Sequence, residues 1–178
     1  MGRTFVQAVI PPPLDVKRMQ KPIIDGLKEF GNILKFDLNG TVRTWKNKPK
    51  FAIYITPFSF GTTKVEITFD APGEQGQIWR WTDEGTKPHI IRPKPTNKLG
   101  VLIFPSMFKP KTKPGSLRAG AGFSGGPPRI AREVHHPGTT PRRFSAEIAK
   151  RRGKAFAIIM QKAMDKVAEV AWRQQKYK

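Results

Sequence analysis

Residues 51–69 read FAIYITPFSFGTTKVEITF, and this stretch decides the fold class. Apolar residues alternate with other residues near its start and again near its end, which predicts two strands that each bury one face. The buried positions are Phe51, Ile53 and Ile55 in the first strand and Val65, Ile67 and Phe69 in the second. We expect the two strands to pair as a hairpin with a longer loop over 57–62.

An amphipathic helix is predicted before this hairpin. From about Leu14 to Leu38 the apolar residues recur at spacings of three and four. Pro22 ends or kinks a helix unless it lies in the first turn, so we expect the main helix to begin near Lys21 and to stop at Asn39-Gly40. The preceding residues 1–14 are interpreted as a proline-closed N-terminal arm.

A second amphipathic helix is predicted from Ser145 to the end of the chain. Ser145 is a suitable N-cap, and Glu147 places an acidic side chain in the first turn. Six cations crowd the start of this helix, where the macrodipole disfavours positive charge, so we expect them to serve a partner contact. They are Arg142, Arg143, Lys150, Arg151, Arg152 and Lys154.

Three shorter segments complete the predicted elements. Residues 77–81 fit either a strand or a helical turn, 99–104 form an apolar run typical of a buried strand, and 129–136 alternate less cleanly as a last strand. Helices at both ends of a set of strands predict an α+β fold, with a small antiparallel sheet and the helices packed on one face. We expect a single domain over 15–178.

Residues 105–129 are predicted to form an extended basic loop. The stretch holds five Pro, five Gly, five Lys or Arg and no acidic residue. It is much longer than an ordinary connection of about 4–6 residues, and loops of such length are functional or disordered.

Composition restricts the classes of function. The chain of 178 residues has no cysteine, which excludes disulfides, thiolate nucleophiles and cysteine-ligated metal sites. No apolar run approaches the roughly 20 residues of a membrane span, and the N-terminal apolar stretch is too short for a signal peptide. We expect a soluble protein of a reducing cytoplasm, or of a particle assembled there, with no contact to a membrane.

The net charge of +20 predicts an anionic partner. Such a surplus destabilises the compact state by self-repulsion, and nucleic acid or an acidic protein would offset it. A solvated basic surface without a specific partner is the alternative. Because the cations are spread along the chain, a purely disordered polycationic tail is disfavoured.

Two segments of the chain resemble each other. Each has Gly-Thr followed within two residues by Pro, then a basic residue and an apolar one: 81–94, which contains Gly85, Thr86 and Pro88, and 135–144, which contains Pro137, Gly138 and Thr139. Each predicts a corner, since Gly permits unusual backbone angles, Thr bonds back to the turn and Pro stiffens the exit.

Together with Thr41-Val42-Arg43-Thr44-Trp45 and Lys48-Pro49, these corners resemble those of a family of tailed-phage neck and tail-completion proteins. The resemblance covers about 14–178. It implies a structural subunit of the ring at the head–tail joint, without catalysis or cofactor. It also implies assembly in the host cytoplasm, location in the virion, and contacts with other copies of the chain. Further contacts are implied with neighbouring neck and tail proteins (connector, stopper, terminator or tail tube) and with genomic DNA in the lumen.

Sites of chemistry are poorly supported by the sequence. His135 and His136 are adjacent and would diverge on a strand, and Asp83 and Glu84 are adjacent too, so neither pair predicts a metal site or a paired-carboxylate site. We expect Asp83 and Glu84 to lie in a capped, solvated turn or to pair with a nearby Arg. No P-loop, nucleophile-elbow or dinucleotide motif is present in the sequence.

Four aromatic residues have two possible roles. Trp79, Trp81, Phe58 and Phe60 could stack nucleic-acid bases beside basic residues, or could lie in the core or a subunit interface. Alternation of Trp79 with Trp81 on one strand face favours the interface.

The leading hypothesis is therefore a non-enzymatic assembly protein of the phage head–tail joint, and the alternative is a free nucleic-acid-binding protein. The predicted subunit or partner contacts of the loop are Lys109, Lys111, Lys113, Arg118 and Arg129. The residues predicted to line a lumen or to pair with an acidic ring are Arg142, Arg143, Arg151 and Arg152.

Overall fold

A computed structural model describes residues 3–9, 16–56 and 64–175. A three-stranded antiparallel sheet has the order β1-β3-β2, in which β1 is Arg3–Val9, β2 is Ala52–Thr56 and β3 is Lys64–Asp70. In the predicted hairpin, Ile53 pairs with Phe69 and Ile55 with Ile67, so these residues share one face. The loop over 57–62, with Phe58 and Phe60, lies outside the described residues.

Half of the predicted N-terminal arm is a strand, because residues 3–9 form β1. The strand pairs along β3 from Arg3 opposite Phe69 to Val9 opposite Lys64. Pairing with β2 leaves β3 a second edge of unpaired backbone groups, and β1 satisfies them. Residues 1–2 and 10–14 of the predicted arm lie outside the described residues.

Two long helices cover the sheet. Helix α1 runs over Val16–Thr41 and α3 over Phe144–Gln175. The helices are antiparallel, since Gly26 of α1 approaches Ala163 and Phe30 contacts Phe156. On its other side α1 approaches the sheet so closely that a Cβ on Gly31 would lie 3.1 Å from Ile53. The predicted α+β class, with helices at both ends of the strands, is confirmed.

Helix α1 begins earlier than the proline indicated. Pro22 lies inside it, in the second turn. A proline at that position removes one backbone hydrogen bond near the end of the helix. The apolar stripe beyond it is fully buried and holds the remaining turns against α3 and the sheet. That stripe is Ile23, Leu27, Phe30, Leu34 and Leu38.

Residues 77–81 belong to a third helix, α2, which runs over Gly73–Glu84. Trp79 is 1% exposed and Trp81 is 52% exposed, so the shared strand face predicted for the two residues is wrong. The Trp79 indole N–H donates to Thr41 Oγ1 at 2.9 Å, and its ring contacts Phe51, Phe69 and Phe144. Trp79 therefore joins α1, α2, the sheet and α3 in one core.

The prediction of an extended loop over 105–129 is wrong at both ends of that range, where the residues form strands. Strand β5, Leu102–Lys109, and strand β6, Phe123–Ala131, form an antiparallel hairpin, and only 110–122 connect them. Pro105 and Pro128 lie opposite each other beside a register shift. A two-stranded hairpin accommodates proline there because each strand has a free edge. The predicted strand over 99–104 accordingly begins and ends later along the chain.

The predicted last strand over 129–136 is divided. Its first residues end β6, and Val134–His136 form the separate strand β7. Strand β7 pairs antiparallel with β4, His89–Ile91, in a two-stranded ladder. The β4–β7 ladder positions the site described next.

Candidate functional site

The two Gly-Thr corners are two halves of one structure. Thr86 and Thr139 face each other in an antiparallel bridge, with N–O distances of 3.1 and 3.2 Å. The Thr139 N–H also donates to Thr86 Oγ1 at 2.9 Å. The pairing continues through β4 and β7, where His89 lies opposite His136. The similarity of the two segments was the available signal in the sequence, but their pairing was not predicted.

Each corner requires its glycine for two reasons. Gly85 has φ 79° and Gly138 has φ 91°, in the region that side chains disfavour. The backbones also approach closely, since a Cβ on Gly85 would lie 2.5 Å from the Thr139 carbonyl oxygen, and one on Gly138 would lie 2.3 Å from that of Thr86. The exposed Pro88 and Pro137 border the bridge.

The corner also begins helix α3. Asp83 is buried, and its carboxylate accepts the Ser145 backbone N–H at 3.2 Å and the Ser145 hydroxyl hydrogen. The Asp83 carbonyl accepts the Arg143 N–H at 2.9 Å. A carboxylate at this helix end satisfies free donors and interacts favourably with the macrodipole. The solvated turn expected for Asp83 is therefore wrong. The predicted N-cap role of Ser145 is wrong as well, because Ser145 lies inside α3 and is itself capped by Asp83 from the end of α2.

A cleft of about 680 Å³ lies between α2, the tip of the hairpin, the segment 45–47 and the paired corners; we call it the basic cleft. Its cations come from three parts of the chain: Lys46, Lys109, Lys111 and Arg142. Its aromatic residues are Trp45, Phe108 and Phe123. Among the described residues that line it there is no Asp or Glu.

Arg142 is the most constrained of these cations. Its backbone N–H donates to the Thr82 carbonyl, and its carbonyl accepts the Gly115 N–H, so it links α2 to the hairpin connection. Its side-chain Nε is buried and has no hydrogen-bond acceptor within the described part of the chain. A buried donor left without an acceptor costs about 1–3 kcal/mol.

The fold brings together four of the five cations predicted as loop contacts. Lys109, Lys111, Lys113 and Arg118 border a smaller cavity of about 340 Å³ that shares a wall with the basic cleft. The Lys111 ammonium donates to the Thr44 carbonyl at 2.9 Å, which ties the connection to the end of α1. Arg129 lies apart, opposite Phe104 on the hairpin.

The cations predicted to line a lumen are separated by the fold. Arg152 forms a two-pronged ion pair with the buried Asp37, at 2.6 and 2.8 Å, and this hydrogen bond raises the pKa of Arg152. Arg151 donates to the Gly115 carbonyl at 3.0 Å and lies 3.5 Å from the Glu147 carboxylate. Both residues thus have partners within the chain, but Arg151 is exposed, and the predicted contact with a partner stays a prediction. Arg143 is exposed, and Arg142 alone of the four reaches the basic cleft.

The histidines serve the β4–β7 ladder. The rings of His89 and His136 lie 5.0 Å apart, and His136 Nδ1 accepts the Gly138 N–H at 3.0 Å. His135 is exposed on the other side, 3.2 Å from the Glu133 carboxylate. Over 3–9, 16–56 and 64–175, no three His, Cys, Asp or Glu side chains come together as a metal site would require.

The hairpin presents an apolar surface that sequence analysis missed; we call it the outer face. Ile103 and Ile130 are opposite each other and are 59% and 68% exposed. The same face continues through the exposed Pro105, Pro128, Met107 and Phe123. Alternation in 103–107 was the available signal, but the prolines favoured a loop.

Charge is concentrated around the same region. Residues 85–132 contain ten Lys or Arg and no Asp or Glu, which is half of the net charge of the chain. The ten are Lys87, Arg92, Lys94, Lys98, Lys109, Lys111, Lys113, Arg118, Arg129 and Arg132. The hairpin thus combines an apolar face with a strongly basic tip.

Comparisons with known proteins identify no relative: no protein-family model, no curated protein and no solved structure matches the chain. In the described part of the chain, no helix is both long enough and apolar enough to cross a bilayer.

Proposed function

We propose that this protein is a structural, non-enzymatic virion subunit that assembles with copies of itself into a ring at a phage head–tail joint. The observation that carries the proposal is the outer face of the β5–β6 hairpin. In the described chain, six apolar residues lie exposed on a two-stranded hairpin that no third strand extends. Exposed apolar surfaces of this kind are typical of subunit interfaces.

The paired corners support the same proposal. The two Gly-Thr corners, which resemble motifs of neck and tail-completion proteins, form one hydrogen-bonded unit that fixes the start of α3 and lines the basic cleft with the tip of the hairpin. A rigid corner of this kind holds the hairpin in a constant direction relative to the helices. Subunits of a closed ring require such constant geometry, because each one repeats the same contact.

Substitution on the outer face tests the proposal. We expect Ile103→Asp to dissociate the oligomer of the purified protein, measured by analytical ultracentrifugation, and to remove the protein from assembled particles seen by electron microscopy. Ile158→Asp is the matched control, since Ile158 is 58% exposed but lies on α3. A wild-type chain that stays monomeric and is absent from phage particles would contradict the proposal.

A second candidate function is nucleic-acid binding, which the acid-free run over 85–132 favours. It predicts that the isolated protein binds duplex DNA with an affinity that falls steeply as salt rises, because each neutralised phosphate releases counterions. Fluorescence anisotropy with labelled duplex over a series of salt concentrations measures this slope. A flat slope would exclude this function.

A further inference from the structure

The basic cleft has the composition of a binding site for an acidic ligand that also carries apolar groups. Four cations and three aromatic rings line it, and no carboxylate of the described chain enters it. The buried Arg142 Nε has no acceptor among the described residues. An oxyanion that entered the cleft would form a charge-assisted hydrogen bond with the guanidinium of Arg142, which lines it.

We propose that the basic cleft binds an extended acidic segment of another protein. One carboxylate of the segment pairs with Arg142, which presents a planar donor group suited to two-pronged contact. Further carboxylates lie near Lys46 and Lys109, and an apolar side chain packs against Trp45 and Phe108. Phe108 is 77% exposed in the free chain, so such packing would remove a large apolar surface from water. The location of this segment in a neighbouring virion subunit rests on the proposed function, but the binding itself does not.

The surroundings of the cleft favour a protein over a nucleic acid. Phe123 lines the cleft and also lies over Gly125 beside Met107, so the cleft continues into the outer face. That face offers apolar residues, and a phosphate backbone binds cations rather than apolar residues. Protein interfaces combine an apolar centre with charged groups around it, whereas nucleic-acid interfaces are polar and basic throughout.

A binding assay with matched variants tests the inference. The probe is a short labelled peptide of alternating Glu and Gly with one central Phe, followed by fluorescence anisotropy on the full chain. The double variant K46Q/K109Q removes two charges from the cleft. The control K94Q/K98Q removes two exposed charges that lie in the acid-free run 85–132 but outside the cleft. We expect about a tenfold loss of affinity for the first pair and less than about a twofold loss for the second, since only the first contacts the ligand.

Arg142→Lys provides a second variant, because it keeps the charge but loses the planar donor group. We expect weaker peptide binding with unchanged circular dichroism. Equal losses for the two lysine pairs would overturn the inference, since they would indicate diffuse attraction. The inference would also be overturned if oligothymidine bound more tightly than the peptide and if K46Q/K109Q, but not K94Q/K98Q, weakened that binding. This result would assign the cleft to nucleic acid.

The outcomes separate this inference from the proposed function. A chain that binds the peptide in its cleft but forms no ring and enters no particle would refute the proposed function and leave the cleft assignment in place. A chain that forms rings and enters particles but does not bind the peptide would refute the cleft assignment alone.

Discussion

Gly85 and Gly138 show at the scale of single residues how the site is built. Each lies at positive φ and directly against the carbonyl oxygen of the opposite corner. The sequence indicated that each glycine makes a turn. It did not indicate the close approach of the other corner, because that approach joins segments more than fifty residues apart.

We expect Gly138→Ala to destabilise the protein by about 2–4 kcal/mol, since a strained φ alone costs about 1–3 kcal/mol and the added Cβ also meets the Thr86 carbonyl. Urea unfolding followed by tryptophan fluorescence measures the change. Gly153→Ala is the control, because Gly153 lies inside α3 with open space around it. The control should stabilise the protein by up to about 1 kcal/mol. If the urea midpoint of Gly138→Ala equals that of the wild type, the prediction is wrong and the corner accommodates the added Cβ without strain.

At the scale of elements, α1 and α3 are joined by a polar contact as well as by the apolar stripe. Asp37 is 8% exposed, and its carboxylate receives both prongs of Arg152. The contact gives Arg152, in the third turn of α3, an anionic partner within the chain. The sequence gives no sign of this contact, because Arg152 and Asp37 lie 115 residues apart along the chain.

Replacing Arg152 alone should therefore lower the free energy of unfolding more than replacing both Arg152 and Asp37. We expect Arg152→Met to destabilise the protein by about 2 kcal/mol, less than a fully buried pair would lose, because the Arg152 side chain is half-buried. The double variant R152M/D37L should recover most of this loss, since no buried charge is left without a partner. Chemical unfolding of the four proteins in a double-mutant cycle measures the coupling. Additive losses would contradict the prediction.

At the scale of the whole molecule, the charge is unevenly distributed. Half of the surplus of +20 lies in 85–132, around the hairpin and the basic cleft, while the helices also carry acidic side chains such as Glu29, Asp165 and Glu169. Self-repulsion within the basic region opposes folding of the isolated chain.

We therefore expect the melting temperature of the isolated protein to rise as sodium chloride increases from low to physiological concentration, because added ions screen exposed charges. Thermal unfolding followed by circular dichroism measures the shift. Sucrose at matched osmolality is the control for solvent effects that do not depend on charge. A melting temperature that falls or stays constant with salt would show that repulsion does not limit stability.

Local patterns in the sequence predicted the α+β class, the β2–β3 hairpin and the two amphipathic helices, because alternation and helical spacing are signals that burial reinforces. The same signals failed where proline and glycine conceal a strand, as in β5 and β6, or where an edge strand is chosen by its partner, as with β1. The partner of each cation, in contrast, depends on the folded arrangement of distant segments. Arg152 turns toward the buried Asp37, and the exposed Arg151 donates to the Gly115 carbonyl, whereas Lys46, Lys109 and Arg142 meet at one cleft. The physical reason is that a side chain's partner depends on distance in space, which the spacing of residues along the chain does not fix.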